Sequence, residues 1–316
     1  MSDKPQPAGQ LAARFVLPRV VYEIEPGFAM AARLDGHARQ VRRLAVRQLE
    51  PHSIEPFAHR SNVSNAEDLR AALQSLSQTV GNGGGSTGLL VPDGAVRVAF
   101  LDFETLPENR KESESLVLWK MKENLPAEPE EVRLSCQVLQ SGPAGVQVLA
   151  IAMKTAVLAE YEQALEPING GMALILPATM ALLPLVPDGD GGGELLLHVC
   201  AGWITAVVLS GNRPRSWRCS EVRAESPETF GRAVAFETAR VMESARDHLG
   251  VQIQRVRLLE RPRATENLGT EIAGQIAREV TPLSPPGAAW RGLSEAERGV
   301  YENFGLVLAG LVQNGA

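Results

Sequence analysis

Arg19-Val20-Val21-Tyr22-Glu23-Ile24-Glu25, the turn Pro26-Gly27, and then Phe28-Ala29-Met30-Ala31-Ala32-Arg33-Leu34 form the stretch on which the fold turns. β-Branched and aromatic residues make the first run a strand, Pro-Gly ends it, and the second run resumes as another strand. Asp35-Gly36 is a strong hairpin signal, and Gln40 to Gln48 reads as a third strand despite its arginines. The pattern returns later in the chain. Leu195 to Ala201 and Trp203 to Ser210 are strands, Gly211-Asn212 is a hairpin turn, and Arg213 to Arg218 continues the sheet. Between the two sets lies Pro187-Asp188-Gly189-Asp190-Gly191-Gly192-Gly193, the clearest hinge-like break in the sequence. An internal duplication of this kind predicts two α/β lobes joined by a hinge.

The other elements fill in around these strands. Asn65 to Val80 is helical, capped by Ser64 or Asn65, with Leu69, Leu73, Leu76 and Val80 at helical spacing. The loop Gly81-Asn82-Gly83-Gly84-Gly85-Ser86 follows a helix and precedes no lysine, so it reads as a linker rather than a phosphate cradle. Gly88 to Val91 and Ala95 to Asp102 read as strands around Pro92-Asp93-Gly94. A helix runs from Pro107 to Leu125, where Pro126 stops it. Val132 to Leu139 and Val146 to Met153 are strands around Ser141-Gly142-Pro143. Thr155 to Leu165 is a helix, Asn169-Gly170-Gly171 a turn, and Ala173 to Leu176 a short strand. In the second half come a helix at Phe230 to Leu249, a strand at Val251 to Leu259, an amphipathic helix at Glu266 to Glu279 and a closing helical stretch at Ser294 to Val312. Residues 1–18, polar and carrying Pro5, Pro7 and Pro18, read as a flexible leader.

Composition excludes several classes. With 316 residues, 44 % hydrophobic, the chain can bury a large core. A net charge of -6 argues against a nucleic-acid binder driven by phosphate contacts. The basic cluster Arg39, Arg42, Arg43 and Arg47 reads as a solvated face. Cys136, Cys200 and Cys219 show neither metal-ligand nor disulfide spacing. Cys136 and Cys200 sit in apolar runs and read as small buried hydrophobes, which suits a reducing cytoplasm. The five histidines are scattered as well, so no metal is expected. The N-terminus is not a signal peptide, and the most apolar run, Gly171 to Val186, is interrupted by Pro177 and Pro184, so no membrane span is expected.

The order and spacing of many weak motifs, from about residue 19 to residue 311, resemble the PilM family of actin-like type IV pilus assembly proteins. Glu23-Ile24-Glu25-Pro26-Gly27-Phe28-Ala29-Met30 stands where that family has an Asp-Ile-Gly phosphate turn and a following strand. Leu90-Val91-Pro92 and Phe103-Glu104-Thr105-Leu106-Pro107 match two of its strand ends. Glu112 to Leu125-Pro126, then Glu131 to Leu139, match its acidic helix and next strand. Val148-Leu149-Ala150-Ile151-Ala152-Met153-Lys154 is the most specific part of the match. The resemblance implies an α/β, two-lobed actin-like (ribonuclease H-like) ATPase fold. Residues 19–190 would be the first lobe, with a small inserted subdomain at about 104–153. Residues 191–316 would be the second, its last helix free to pack back on the first.

The departures from the family decide the expected chemistry. Actin-like ATPases bring backbone N–H groups of two glycine turns onto the phosphates, which only glycine permits, and an aspartate in each turn helps hold the metal. Here Glu23 replaces the first aspartate, Glu25 the first glycine and Met30 the family lysine. In the second turn His198 replaces the aspartate and Cys200 the glycine. Glu260-Arg261-Pro262 stands where a glycine pair should wrap the adenosine. A carboxylate at the phosphate position costs on the order of several kcal/mol. No ATP binding and no catalysis are therefore expected. His198 reads as a strand histidine in a decayed turn rather than a base. Glu23 and Glu25 face one side of a strand without an acid-base partner, which excludes a glycosidase pair.

What the resemblance implies is a cytoplasmic scaffold, peripheral to the inner membrane, that binds the cytoplasmic tail of a PilN-like membrane protein and relays the state of the motor to other platform proteins. The tail would lie between the first-lobe core and the insert, paired to a strand edge. Leu116, Trp119, Lys120 and Met121 on the inserted helix are its candidate walls. Core packing of that helix is the other reading of Leu116 and Trp119. Two alternatives remain open: an active actin-like ATPase or kinase with unusual phosphate turns, and a cytoplasmic domain like that of the type II secretion protein GspL, which normally continues into a transmembrane helix.

Overall fold

The computed structural model describes residues 17–314 except 36, 38–39, 82–84, 144, 169–170, 188–191, 212, 263–266 and 285–289. The leader up to residue 16, Asn82-Gly83-Gly84 of the glycine-rich loop, and residues 188–191 of the expected hinge lie outside the described residues. Leu17 and Pro18, counted with the leader, are half-buried and buried.

In chain order the elements are β1 (Val20–Glu25), β2 (Phe28–Asp35), β3 (Gln40–Gln48), α1 (Ala66–Val80), β4 (Thr87–Val91), β5 (Arg97–Phe103), α2 (Arg110–Met121), β6 (Val132–Gly142), β7 (Gly145–Lys154), α3 (Thr155–Leu165), β8 (Met172–Pro177), β9 (Gly193–Cys200), β10 (Trp203–Ser210), β11 (Arg213–Glu221), α4 (Pro227–Leu249), β12 (Ile253–Arg261), α5 (Leu268–Ile276), β13 (Val280–Pro282), α6 (Glu295–Phe304) and α7 (Leu306–Asn314). The first sheet runs β3-β2-β1-β4-β8 and the second β11-β10-β9-β12-β13. In each, three antiparallel strands are extended by two parallel ones, so the halves share one topology. This is the duplication that the repeated strand-turn pattern predicts.

β1 and β9 are buried along their whole length, at the centre of their sheets. Side chains alternate between faces along a strand. Val20, Tyr22 and Ile24 enter a core beneath α1 and α3, while Val21 enters a core shared by both lobes. Likewise Leu195, Leu197 and Val199 pack under α4 and α5, while Leu196 and Cys200 face the shared core. The 3₁₀ segment Ala178–Leu185 and α7 also line that shared core. α7 packs against first-lobe residues so closely that a Cβ on Gly310 would sit 1.7 Å from the Ala181 carbonyl oxygen.

Several boundaries differ from the sequence reading. Thr87–Val91 and Arg97–Phe103 are not partners across a turn. The 3₁₀ turn Asp93–Ala95 redirects the chain, and β5 pairs with β7 in a separate sheet, β5-β7-β6. The insert sheet therefore starts at Arg97, not near residue 104. α2 is shorter than the expected helix: the Asn109 side chain caps its start, accepting from Lys111 N at 2.9 Å, and a 3₁₀ turn, Lys122–Asn124, takes the place of its end. The closing stretch is two helices, broken at Gly305, where a Cβ would meet the Tyr301 ring at 2.7 Å. The basic cluster is more than a solvated face: Arg47 donates to Ser75 Oγ at 2.9 Å and Arg43 to the Thr79 carbonyl at 3.3 Å, tying β3 to α1. Arg39 lies outside the described residues. Cys136 is exposed, whereas Cys200 is buried.

Candidate functional site

The alternation along three central strands assembles one polar cluster between the lobes. On β1 the face of Val21 also carries Glu23 and Glu25, and on β9 the face of Leu196 carries His198. On β12 the face of Leu259 carries Arg261. Each residue sits toward the carboxyl end of its strand, the end at which open α/β sheets take up ligands. Asp93 joins from the turn after β4, Thr179 from the 3₁₀ segment and Thr205 from β10. All seven are buried, from Glu23 and Thr179 at 0 % to Asp93 at 6 % exposed.

Hydrogen bonds join six of them in one connected chain, with Glu25 beside it. Arg261 Nη2 donates to Glu23 Oε1 at 2.7 Å and lies 3.9 Å from Glu25 Oε1. Arg261 Nη1 donates to the Phe304 carbonyl at 2.8 Å, and its Nε donates to His198 Nε2 at 3.0 Å. An arginine N–H can only donate, so His198 Nε2 is an acceptor and the proton of the neutral imidazole sits on Nδ1. Nδ1 donates to Thr179 Oγ1 at 2.6 Å, and that hydroxyl donates to Asp93 Oδ2. Asp93 also accepts from Thr205 Oγ1 at 2.8 Å and from Thr179 N at 3.0 Å. The links from Arg261 to Glu23, from His198 to Thr179 and from Thr205 to Asp93 cross between the lobes, and the link from Arg261 to Phe304 ties β12 to the end of α6.

Burial, with the Arg261 charge beside it, pushes His198 down to about 4, in keeping with its role as acceptor. Burial works against an ionised Asp93, but His198, whose Nδ1 lies 3.4 Å from Oδ2, and the hydrogen bonds from Thr179 hold it below the ordinary carboxylate value. Burial raises Glu23, and Arg261 offsets part of this. Burial and the neighbouring Glu23 hold Glu25 well above its ordinary value, so Glu25 keeps its proton to higher pH. The Cys200 thiol is pushed up by burial and then by Glu25.

The hairpin turns on either side survive as backbone shapes. Gly27 has φ 85° in the first, and Ala201 and Gly202 have φ 45° and 86° in the second. Trp203 closes the cleft mouth: its ring meets Phe57 edge-on at 5.5 Å, and a Cβ on Gly94 would sit 2.8 Å from it. The void left beside Glu25, Asp93, His198 and Cys200 is about 10 Å³, room for one water at most. A triphosphate and its metal do not fit this void, whose lining already carries the carboxyl groups of Glu25 and Asp93. Met30 is buried in the shared core, Glu260 is half-buried, and Pro262 is exposed beyond Arg261. Arg261, Asp93, Thr179 and Thr205 are the members that sequence reasoning missed.

A second feature lies at the insert. A cavity of about 1200 Å³ separates it from the first lobe. β6, an edge strand, contributes Val132–Cys136 and Val138. β8, an edge of the other sheet, contributes Met172–Pro177. From α2 the cavity takes Arg110, Ser113, Glu114, Val117 and Leu118. The four expected wall residues are placed elsewhere. Met121 is buried in the insert core with Val117, and Leu116 packs on that core. Trp119 is 72 % exposed on the outer side, and Lys120 donates to the Asp102 carbonyl and covers the Phe103 ring. The helix turns its i, i+3, i+4 face of Arg110, Ser113 and Glu114 to the cavity.

Comparison of the sequence with family models and with curated proteins found no match in either. Comparison with solved structures gives the fold. A PilM-PilN type IV pilus biogenesis complex aligns with a TM-score of 0.77 at 18 % identity, covering 94 % of this chain and 98 % of that one. A Bacteroides thetaiotaomicron protein with an actin-like ATPase fold and unknown function aligns at 0.52 and 8 % identity, covering 84 % and 90 %. The ethanolamine utilization protein EutJ from Carboxydothermus hydrogenoformans aligns at 0.50 and 7 % identity, covering 94 % and 90 %. The fold is actin-like, two-lobed and α/β. Among the described residues no helix is long and apolar enough to cross a membrane.

Proposed function

We propose that this chain, which has the fold of PilM, is a non-catalytic scaffold of a type IV pilus assembly platform. It works at the cytoplasmic face of the inner membrane and holds the cytoplasmic tail of a PilN-like membrane protein. The observation that carries this reading is the cavity between insert and first lobe, where two sheet edges border one space. An extended peptide entering there can add a strand to β6 or β8, gaining main-chain hydrogen bonds while alternate side chains fill apolar pockets. Val138, Ile151, Leu158 and Leu174 supply apolar lining, and Arg110 and Glu162 supply polar ends.

Cys136 gives the test a direct readout, since its thiol is exposed and lines this cavity. A synthetic PilN-like tail peptide should slow alkylation of Cys136 saturably. Leu174→Glu should abolish that protection without changing the circular dichroism. Unprotected Cys136 at peptide concentrations that saturate a PilM control would refute the reading. The filled cleft supports the absence of ATP chemistry. Calorimetry with magnesium and ATP should show no saturable heat, and magnesium-dependent micromolar binding would refute a scaffold-only role.

A further inference from the structure

We infer that Arg261 is the resident ligand of the interlobe cleft: its guanidinium fills a cation site built by both lobes where an actin-like ATPase takes up an anion. The charges at the site are inverted. Glu23 and Glu25 stand beside the Arg261 guanidinium, and a third carboxyl group, Asp93, is linked to it through His198 and Thr179. The geometry suits a planar fork rather than a point charge. Nη2 reaches Glu23 on β1 of the first lobe, Nη1 reaches the Phe304 carbonyl at the end of α6, and Nε reaches His198 on β9 of the second lobe. An ammonium carries its three donors on one atom and does not match partners set around a planar fork.

The site also has acceptors to spare. Glu23 Oε2 is buried with no hydrogen-bond partner, and Glu25 Oε1 stands 3.9 Å from the guanidinium. A small planar cation with donors on every side is therefore the class of molecule that this pocket takes. Hinged α/β proteins commonly close around a ligand that arrives from solution. This chain carries its ligand on β12, so closure needs no nucleotide and the lobes hold one relative position. The tethered arginine makes the cleft a fixed joint, on which a groove elsewhere can be presented without a nucleotide-driven cycle.

The test uses the full chain with Arg261→Ala, which removes the ligand and leaves its cavity. The variant should melt several degrees below wild type and show a larger radius of gyration by small-angle scattering. Guanidinium chloride at millimolar concentration, far below denaturing levels, should raise its Tm and restore compaction, while equal sodium or methylammonium chloride should not. The same guanidinium should leave wild type unchanged or slightly less stable. Failure of guanidinium to outperform the salt controls would overturn the inference. Should Arg261→Ala not fold, Arg261→Lys decides the matter, because it keeps the charge and loses the fork. It should melt clearly below wild type, and a wild-type Tm would overturn the inference.

Discussion

Arg261→Met separates the buried ion pair from ordinary packing. Methionine replaces most of the aliphatic length of arginine, so little cavity is created. What is lost is the 2.7 Å bond to Glu23, the 3.0 Å bond to His198 and the 2.8 Å bond to the Phe304 carbonyl. Glu23 is 0 % exposed and its other oxygen already lacks a partner, so the variant strands a carboxylate. Removing one member of a buried pair costs about 3–5 kcal/mol. With an unfolding entropy near 2.1 cal/mol/K per residue, a loss of about 4 kcal/mol over 316 residues lowers Tm by roughly 6 °C. Loss of the Arg261 charge raises the folded-state pKa of Glu23 further, so Glu23 can escape by taking up a proton. A carboxyl raised on folding contributes stability that fades as pH rises, so the penalty should be smaller at about pH 5 than at about pH 8. The double variant Glu23→Gln, Arg261→Met removes both charges and should recover at least half of the loss. Urea unfolding followed by tryptophan fluorescence measures all four members of the cycle. A double variant as unstable as Arg261→Met, or a single variant within about 1 kcal/mol of wild type, would refute the argument.

His198 titrates at 6.5 when unfolded and at about 4 when folded, so the unfolded chain binds the extra proton between those values. Its contribution is complete above the upper value and lost as pH falls toward the lower, by roughly 3 kcal/mol in all. His198→Gln should flatten the slope of wild-type stability against pH in that window, as urea titrations will show. ¹⁵N correlation spectra of the imidazole should report a neutral ring protonated on Nδ1. Gly94→Val would drive a Cβ to 2.3 Å from the Pro56 carbonyl oxygen and 2.8 Å from the Trp203 ring, and overpacking of this kind costs about 1–3 kcal/mol. Tryptophan emission should shift red as the seat of Trp203 opens. Gly310→Ala reverses a common sign: a helix interior usually gains about 1 kcal/mol from this change, but here the new Cβ collides with Ala181, so a thermal melt should show a loss.

The legible parts of this molecule were those set by local pattern. The three opening strands of each half could be read because turns at Pro26-Gly27 and Gly211-Asn212 punctuate runs of fixed period. The carboxylates Glu23 and Glu25 were visible as departures, and so was their placement on one face. Their consequence was not, because their counter-charge lies 238 residues along the chain from Glu23. A buried strand face carrying two glutamates demands a cation, and that demand was the available signal. Arg261 hid behind its neighbours: in Glu260-Arg261-Pro262 the missing glycines drew the reading, and the arginine between them did not. Asp93 read as a turn residue because Pro-Asp-Gly is a turn sequence, and it is indeed in a turn. The walls of the insert groove failed for a simpler reason. On a helix packed against both a sheet and a cavity, the apolar residues Leu116 and Met121 go to the sheet, which leaves Arg110, Ser113, Glu114 and Leu118 to line the open side.

Gly310 and the 3₁₀ segment Ala178–Leu185 bear on how the chain is made as well as how it stands. The first lobe leaves the ribosome early, yet the apolar flank that it shows around Ala181 and β2 is covered by α7, from the far end of the sequence. Until residues beyond 306 have been synthesised, that flank has nothing to bury it. The early lobe is then a half-finished intermediate that waits for its cover, and it needs shelter from aggregation for as long as translation of the second lobe takes.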